Sequence, residues 1–495
     1  MSSHRFGRAL RCGRGRRLLQ LSLPLMLVVA FTGDFLQAEQ ARSSPPSKKS
    51  SATTAAASKG PARSSPPINE SPVVSRQLAN GLEILVYEDH SVPLVTVEYS
   101  AIAGSLVEKP EENGYSHLIE HVFWKLPAKV SAYLKDPGQL GISYNGTTRE
   151  EQSNEYLVST SNNFGVMLHV LSDLVRFPAF TPENVEREKQ VVLGEYDRNE
   201  SNPYAGLAIE VSRQLYYKYP WTRNPIGSRE AIRQATPEKL KAFFTKYWAP
   251  NNSVVVIAGD VTPQQAFARA EEFFGDWARG PATFAQDAMV QHPALPKNKG
   301  AVIQTPIASV VLELGWLGPS ITQDPQGTYA ADVFSNIVRQ PDSRLEKLLV
   351  DSGLATAFTF GYYTQKTAGP ITLLTVTSPD KVRFLIPAIQ KEIEHFADPD
   401  YFTDQELENA KTLLGAEDLY SREKPSEYSH TLSFWATSAS VSYWKSYQAS
   451  VGSVSRADIA RYLKTYVVGK PHVTALELSE EQQKKLEIRP EELER

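Results

Sequence analysis

The sequence predicts an α+β protein that consists of two halves of similar topology. With 495 residues the chain is too long for one ordinary hydrophobic core. It is 41 % hydrophobic and 22 % charged, which is a globular composition. Strand-like runs are followed by helix-like segments and a buried strand, and the second half of the chain repeats this order in weaker form. Two related halves, joined near residues 291–300, are the simplest interpretation.

The N-terminus, residues 1–38, is predicted to be a secretory signal. Six arginines and no acid precede the apolar run LLQLSLPLMLVVAF, and Ala38 offers a small residue for cleavage. The apolar run is too short and too early for a stable transmembrane anchor. An organelle transit peptide shares the arginine-rich start, but such peptides are amphipathic and this run is uniformly apolar. We therefore expect an exported protein, located in a bacterial periplasm.

Removal of this signal would leave an acidic protein. It deletes six arginines and Asp34, which lowers the formal net charge from −4 to −9. An acidic chain is a poor partner for nucleic acid or an anionic membrane. The sole cysteine, Cys12, is removed as well, which excludes disulfides and cysteine catalysis. Residues 39–72 are mostly Ser, Ala, Pro and Lys, and are predicted to be a disordered linker.

The folded part is predicted to divide into domains at 73–285 and 300–487. An Asn80–Gly81 turn between strand-like runs is typical of a β-hairpin, and NNSVVVIAGD at 251–260 predicts a buried strand. The repeat pairs three segments of the second half with three of the first. Residues 308–318 correspond to 94–104, residues 403–420 to 181–197, and residues 455–478 to 236–259.

The segment GYSHLIEHVFWK places two histidines and a glutamate in an apolar run. If it is helical, His117 and His121 are one turn apart on one face, and Glu120 lies on the same side. Two imidazoles at this spacing can share a tetrahedral Zn²⁺, and the carboxylate can take a proton from water. The order H-x-x-E-H inverts the commoner H-E-x-x-H. Solvated or core histidines would show it by chance in roughly one chain in a hundred, so a third ligand is needed.

A third ligand is offered by the segment ENVEREKQVVLGEYD. Glu188 and Glu195 are seven residues apart, or two helical turns, so both point the same way. A lone glutamate on a helix is usually solvated, but the apolar residues around Glu195 disfavour that interpretation. One of the two could bind the metal while the other holds a ligand histidine in its tautomer.

These two segments, HLIEH and EREKQVVLGE, together resemble the zinc site of the pitrilysin/insulinase family of inverted zinc metallopeptidases, which includes mitochondrial processing peptidase. The opening strands, the segment NPIGSREAI and the segment YWAPNNSVVVIAGDVTP are similar to the same family, so the resemblance covers nearly the whole mature chain. It implies the short two-domain bacterial type. In this type, each half is a mixed or antiparallel sheet with helices packed on one side, and the halves face each other like a clam shell.

The resemblance also implies a role for each site residue. It gives one Zn²⁺ per chain, bound by His117, His121 and Glu195, with Glu120 as general base and Glu188 as the carboxylate that orients a ligand histidine. SYNGTTREE at 143–151 matches the substrate-binding edge strand of the family, so an extended peptide would pair with Asn145, Gly146 and Thr147. Ala330 and Phe334 stand at the histidine positions of the second half, which would therefore hold no metal.

Two departures from the family pattern are informative. The residues after the histidine motif lack the usual Gly-Thr, which implies a reshaped loop. The second half lacks the arginine and the tyrosine that clamp substrate in the family, because Leu349 and Thr356 occupy those positions. We therefore expect a homologous partner subunit without the zinc motif that supplies Arg and Tyr. The alternative is a homodimer or monomer that is slow or uses Tyr362 or Tyr363.

Three functions remain open. The favoured one is a zinc endopeptidase that cleaves peptides or unstructured polypeptide segments, as the zinc-bearing subunit of a two-subunit enzyme. A non-catalytic or weakly active scaffold subunit is the alternative, and it would predict loss of Glu120 or Glu195, which are both present. A metal-dependent hydrolase with another substrate is the third, and the sequence shows no feature of phosphate or sugar recognition.

Overall fold

The computed structural model describes residues 73–125, 127–131, 134, 137–202, 205–281 and 292–495. The predicted signal at 1–38 and the predicted linker at 39–72 lie outside the described residues. The described residues form two sheets, each with helices packed on it. The predicted α+β fold of two related halves is confirmed.

The first half contains a six-stranded mixed sheet. Its strands are β1 (Val73–Gln77), β2 (Glu83–Glu88), β3 (Leu94–Ala101), β4 (Ser143–Thr148), β5 (Ser153–Thr160) and β6 (Ser253–Gly259). Its helices are α1 (Tyr115–Phe123), α2 (Ala128–Ser131), α3 (Phe164–Arg176), α4 (Pro182–Glu200), α5 (Ala205–Leu215), α6 (Arg229–Gln234), α7 (Pro237–Tyr247) and α8 (Pro263–Phe274). The strand order is β1-β2-β6-β3-β5-β4, and β2 and β6 run parallel. Strand β4 therefore lies at an edge of the sheet.

The second half contains a five-stranded sheet. Its strands are β7 (Lys299–Gln304), β8 (Val310–Leu317), β9 (Ala357–Tyr362), β10 (Pro370–Thr377) and β11 (Val473–Leu478). Its helices are α9 (Pro325–Val338), α10 (Arg344–Glu346), α11 (Val382–His395), α12 (Asp404–Ser421), α13 (Pro425–Ser438), α14 (Val441–Ser453), α15 (Arg456–Tyr466) and α16 (Glu480–Leu486). The order β7-β11-β8-β10-β9 repeats β2-β6-β3-β5-β4, including the parallel pair.

Local sequence explains why equivalent elements begin at equivalent residues. The long helices α4 and α12 each start after a threonine whose hydroxyl accepts a backbone N–H of the first turn. These residues are Thr181 and Thr403. The predicted hairpin joins β1 and β2, and Gly81 adopts the positive φ of 93° that its turn requires.

Each sheet also receives a helix from the other half. Helix α13 lies on β3 and β6, and its Tyr428 and Leu432 pack with apolar residues of the first sheet. Helix α5 lies on β8 and β11, and Leu207 and Val211 pack with the second sheet. One face of each sheet is thus covered by a helix that belongs to the other half. The predicted domain boundaries remain a prediction.

None of the helices within the described ranges combines the length and the apolar character that crossing a bilayer would require.

Candidate active site

Helix α1 carries the two histidines and Glu120, and its apolar side chains are buried in the core of the first half. Leu118, Ile119 and Val122 are fully buried in the core of the first half. The helix packs against β4, β5, α4 and α7, so its polar side is held between the edge strand and the long helix α4. Apolar side chains therefore fix the direction in which the polar residues of α1 project.

The start of α1 is anchored by a buried carboxylate. Both oxygens of Glu108 accept backbone N–H groups, from Gly114 at 2.8 Å and from Ser116 at 2.8 Å. Burial raises the pKa of Glu108, and these hydrogen bonds act in the opposite direction. A carboxyl group at this position satisfies the free N–H groups of the first helical turn.

The segment NPIGSREAI braces the same helix end. Gly114 and Gly227 both have positive φ, and a Cβ on Gly227 would clash with the α-carbon of Gly114. The backbone N–H of Ser228 donates to the carbonyl of Asn113 at 3.1 Å. This segment was identified from the sequence by resemblance alone, and its contact with the histidine helix follows from the structure.

His117, His121 and Glu195 form a cluster that can hold a metal ion. The Nε2 atoms of His117 and His121 each lie 3.4 Å from Oε2 of Glu195. The candidate ligand atoms all lie within 4.8 Å of one another. A tetrahedral Zn²⁺ with bonds of about 2.0–2.1 Å places its ligand atoms roughly 3.3–3.4 Å apart, so the spacing fits zinc. Two imidazoles and one carboxylate are also an open catalytic type of zinc site.

Glu188 lies beside the same cluster and contacts the far nitrogen of a histidine. Its Oε2 is 3.4 Å from Nδ1 of His121, while Oε1 pairs with Lys125 at 2.9 Å and with Arg187 at 3.1 Å. Burial raises the pKa of Glu188, but the hydrogen bonds and cationic partners outweigh it and lower this pKa to about 2. A carboxylate at Nδ1 orients the ring so that Nε2 faces the metal. The sequence interpretation did not identify Lys125 or Arg187 as partners.

Within the cluster, the pKa of His121 is raised and the pKa of Glu195 is lowered. Burial lowers the pKa of His121, but hydrogen bonds that the imidazole donates to Glu188 and Glu195 raise it to about 9. The pKa of Glu195 is held below its usual value by both histidines, although burial acts against them. A metal ion at this site would therefore compete with a proton on His121.

Glu120 lies between the metal cluster and the edge strand β4. Its Oε2 accepts a hydrogen bond from Oγ1 of Thr148 at 2.7 Å. A Cβ on Gly146 would come within 2.8 Å of Cγ of Glu120, so the absence of a side chain at residue 146 lets the carboxylate approach the strand. Thr148 follows Gly146 by two residues, which places both on the same face of β4. That spacing was a usable signal, and the sequence interpretation missed it.

The proposed substrate strand lies at the edge of the first sheet. Asn145, Gly146 and Thr147 belong to β4, which pairs with β5 on one side and with no other strand of the described part of the chain. Asn145 and Thr147 are half-buried, and Gly146 is buried against Glu120. The edge strand and the candidate base thus share one surface.

The second half has no polar groups at the equivalent helix positions. Ala330 and Phe334 are fully buried in its hydrophobic core. Leu349 is fully buried as well, and the hydroxyl of Thr356 donates to the carbonyl of Val376 at 3.2 Å.

Tyr362 and Tyr363, the alternatives to the missing substrate-binding tyrosine, also have contacts within the protein. The hydroxyl of Tyr362 donates to the carbonyl of Pro319 at 2.9 Å. The ring of Tyr363 packs on Phe434 at 6.1 Å between centroids, and its hydroxyl interacts with Arg149.

A His/His/Glu cluster on two helices, beside an edge strand, is a ligand set that zinc peptidases use, and the sequence comparisons agree with it. The family model "Insulinase (Peptidase family M16)" matches residues 84–226, and "Peptidase M16 inactive domain" matches residues 234–414. The first match includes the whole cluster. The chain belongs to the insulinase family of metallopeptidases, peptidase family M16. The resemblance found in the sequence is confirmed.

Individual relatives carry names that agree with this assignment. An uncharacterized zinc protease of Rickettsia felis is 25 % identical over 353 residues, which are 70 % of this chain and 83 % of that protein. A mitochondrial-processing peptidase subunit beta of Dictyostelium discoideum is 23 % identical over 202 residues, 40 % of this chain and 43 % of that protein. The crystal structure of a protease from Helicobacter pylori has a TM-score of 0.72 at 18 % identity, covering 82 % of this chain and 99 % of that one. That structure supports the fold alone.

Proposed function

We propose that this chain is a zinc-dependent endopeptidase that cleaves peptides or unstructured polypeptide segments, as the zinc-bearing subunit of a two-subunit enzyme. The observation that carries the proposal is the cluster of His117, His121 and Glu195, with 3.4 Å spacings, beside the Glu120 carboxylate, which accepts a hydrogen bond from the edge strand β4. The family assignment supports peptidase activity, and zinc proteases are among the named relatives.

In this proposal each residue of the cluster has one task. His117, His121 and Glu195 hold one Zn²⁺, and Glu188 keeps Nε2 of His121 directed at it. Zinc bound there supplies the Lewis acidity that polarises a peptide carbonyl and makes water nucleophilic at neutral pH. Glu120 takes the proton from the attacking water and delivers it to the departing amine. The Thr148 hydroxyl fixes Oε2 of Glu120, so that Oε1 is the atom available for proton transfer.

The edge strand supports an extended substrate. A peptide that pairs with Asn145, Gly146 and Thr147 as an added strand gains main-chain hydrogen bonds that do not depend on its sequence. A folded protein cannot present such a strand without local unfolding. The substrates we propose are therefore peptides and unstructured segments.

A partner subunit is proposed because two positions of the second half, where the family has an arginine and a tyrosine, lack a group that could stabilise charge on a substrate. Leu349 has no polar group, and the Thr356 hydroxyl is bonded within its own sheet. Electrostatic groups of this kind contribute roughly two to three decades in rate in enzymes where they have been removed. A homologous subunit without the zinc cluster would supply an arginine and a tyrosine. The occurrence of a peptidase subunit beta among the relatives supports this arrangement.

Export to a periplasm is also part of the proposal, and it is supported by the arginine-rich start and the apolar run. Fractionation that finds the full-length, unprocessed chain in the cytosol would contradict it.

The test combines zinc content with cleavage of a quenched unstructured peptide. Glu120→Gln should keep its zinc and lose on the order of a hundredfold or more in rate, because it removes the general base. The isolated chain should bind zinc and cleave slowly, and the complex isolated from the native source should cleave faster.

Wild-type turnover by Glu120→Gln would contradict the role of Glu120. Full turnover by the isolated chain would contradict the two-subunit part alone. A protein that binds zinc but cleaves nothing, alone or in its complex, would support the scaffold alternative.

A further inference from the structure

A second carboxyl group lies against Glu120, on the neighbouring strand. Glu155 is on β5 directly opposite Gly146 of β4, so the two residues face the same side of the sheet. A Cβ on Gly146 would clash with Oε2 of Glu155 and would come within 3.0 Å of Oε1 of Glu120. Both carboxyl groups thus occupy the space that a side chain at residue 146 would fill.

Glu155 is buried, and its surroundings disfavour a charge on its carboxyl group. Its side chain is 1 % exposed, and neither of its buried oxygens has a hydrogen-bond partner. The indole N–H of Trp124 is a nearby donor that favours the charged form of Glu155, although no hydrogen bond of normal geometry joins them, and the hydroxyl of Tyr99 bonds to Ser253. No Lys, Arg or His of the described ranges forms an ion pair with Glu155. The charged group that acts on it is Glu120.

Two neighbouring carboxyl groups in such a place cannot both carry a charge at low cost. Burial disfavours the ionised form, and a like charge nearby disfavours it further. These two causes, burial first and then the charge of Glu120, raise the pKa of Glu155 well above its ordinary value. Glu120 accepts a hydrogen bond from the Thr148 hydroxyl, whereas the Trp124 indole, the smallest of the three effects on Glu155, does not offset its burial. The environment therefore favours the uncharged form of Glu155.

We propose that Glu155 is an uncharged, proton-carrying carboxyl group in the active site and that it positions Glu120 by filling the space above Gly146. Glu155 acts through Glu120 and is a positioning residue. An uncharged Glu155 adds no negative charge of its own beside Glu120, and it prevents the Glu120 side chain from folding back toward β5. The role in catalysis rests on the proposed peptidase function, whereas the protonation state does not.

The kinetic test compares Glu155→Gln with Glu155→Ala. Glutamine has the shape of a protonated glutamate and is also uncharged, so Glu155→Gln should stay within about threefold of the wild-type kcat. Alanine leaves a cavity beside Glu120, and Glu155→Ala should lower kcat by on the order of tenfold to a hundredfold, with zinc content and KM unchanged.

Equal losses in the two variants would overturn the proposal, since they would show that an ionisable group is required. Full activity of Glu155→Ala would overturn the positioning role.

The spectroscopic test does not need activity. The infrared spectrum of the wild-type protein at pH 7 should contain a carbonyl band of a protonated carboxylic acid that is absent from Glu155→Gln. Other buried acids with a raised pKa, such as Glu313 and Asp332, are present in both proteins and cancel in the difference spectrum. Absence of the band would overturn the proposal even if the chain is an active peptidase. Its presence in a protein without peptidase activity would leave the assignment of Glu155 intact and refute the proposed function instead.

Discussion

The two halves of the molecule share their strand order but differ on the helix that carries the histidines in the first half. In the first half, α1 presents His117, Glu120 and His121. In the second half, α9 has three fully buried apolar residues at the same spacing. They are Ala330, Val333 and Phe334. The position of Glu188, seven residues after its helix-capping threonine, is matched by the buried Ala410. The second half therefore forms the same fold without a metal cluster. Where it has apolar core residues, the first half has paired polar groups.

One position has kept its residue type. Glu195 lies fourteen residues after Thr181 on α4, and Glu417 lies fourteen residues after Thr403 on α12. Glu195 is enclosed by two histidines, whereas Glu417 is exposed. A glutamate on a long helix becomes a candidate ligand only when the facing helix supplies its partners. The second half thus contains a natural control for the first.

The largest effect is expected from substitution of Glu195, with the same substitution of Glu417 as its control. Removal of a ligand should weaken zinc binding more than the roughly tenfold to hundredfold loss that follows removal of a group that orients a ligand. Glu195→Gln should therefore lose more than about a hundredfold in zinc affinity, measured by competition with a chelator. Glu417→Gln should bind zinc as the wild type does. Equal affinity in both variants would remove Glu195 from the ligand set.

The sequence was sufficient for the parts of the site that depend on helical spacing. His117 and His121 are one turn apart and Glu188 and Glu195 two turns apart, so each pair shares a face whatever the tertiary structure is. Contacts that depend on sheet register had no such local signal. Glu155 meets Gly146 only because β4 and β5 pair in one particular register. The exchange of helices α5 and α13 between the halves was equally invisible, because an amphipathic helix does not specify which sheet it covers.

The exchanged helices reveal a second contrast, between two buried acids. Glu98 on β3 and Glu313 on β8 lie on the sheet faces that α13 and α5 cover. Glu98 accepts hydrogen bonds from Ser429 at 2.7 Å and Asn154 at 2.7 Å, and pairs with His430 at 2.7 Å. Glu313 has no cationic partner within the described ranges, and its neighbour is another acid, Glu477. Similar positions thus hold an ion pair in one half and a pair of acids in the other.

We expect opposite effects when each acid is replaced by glutamine. Burial, with a further contribution from Glu477, raises the pKa of Glu313 to about 8. The native state then keeps a proton that the unfolded chain releases near pH 4.5, so this group lowers stability as pH rises from 4.5 to about 8. The loss can reach about 1.4 kcal/mol per pH unit. Glu313→Gln should remove this decline and be more stable than wild type at pH 8.

The matched control is Glu98→Gln, which removes a paired acid. It should lower stability, because His430 and two hydrogen-bond donors lose their acceptor. Urea unfolding of both variants at pH 5 and pH 8 measures the difference. A wild-type pH profile for Glu313→Gln would show that Glu313 does not hold the proton.

The smallest effect is expected when the Glu98–His430 ion pair between the halves is broken by substitution of His430. His430→Ala leaves Glu98 buried without its cation, which in a fully buried pair costs about 3–5 kcal/mol. The His430 side chain is 36 % exposed, so water can replace part of the interaction and we expect about 2 kcal/mol. The control is His395→Ala, because His395 pairs with Asp398 at the same distance of 2.7 Å on the surface and should contribute about 0.5 kcal/mol or less.

The pH dependence of this pair follows from the two shifts. Burial lowers the pKa of His430, but Glu98 outweighs it and raises this pKa above 6.5. Burial raises the pKa of Glu98, but His430 and the hydrogen bonds outweigh it and lower this pKa below 4.5. The stabilisation is therefore complete between about pH 4.5 and 6.5. It is lost as pH rises through the folded pKa of His430 or falls through that of Glu98. If urea denaturation at pH 6 gives His430→Ala and His395→Ala the same free energy of unfolding, apolar contacts hold α13 on the first sheet. The contrast between Glu98 and Glu313 then does not affect the stability of the contact between the halves.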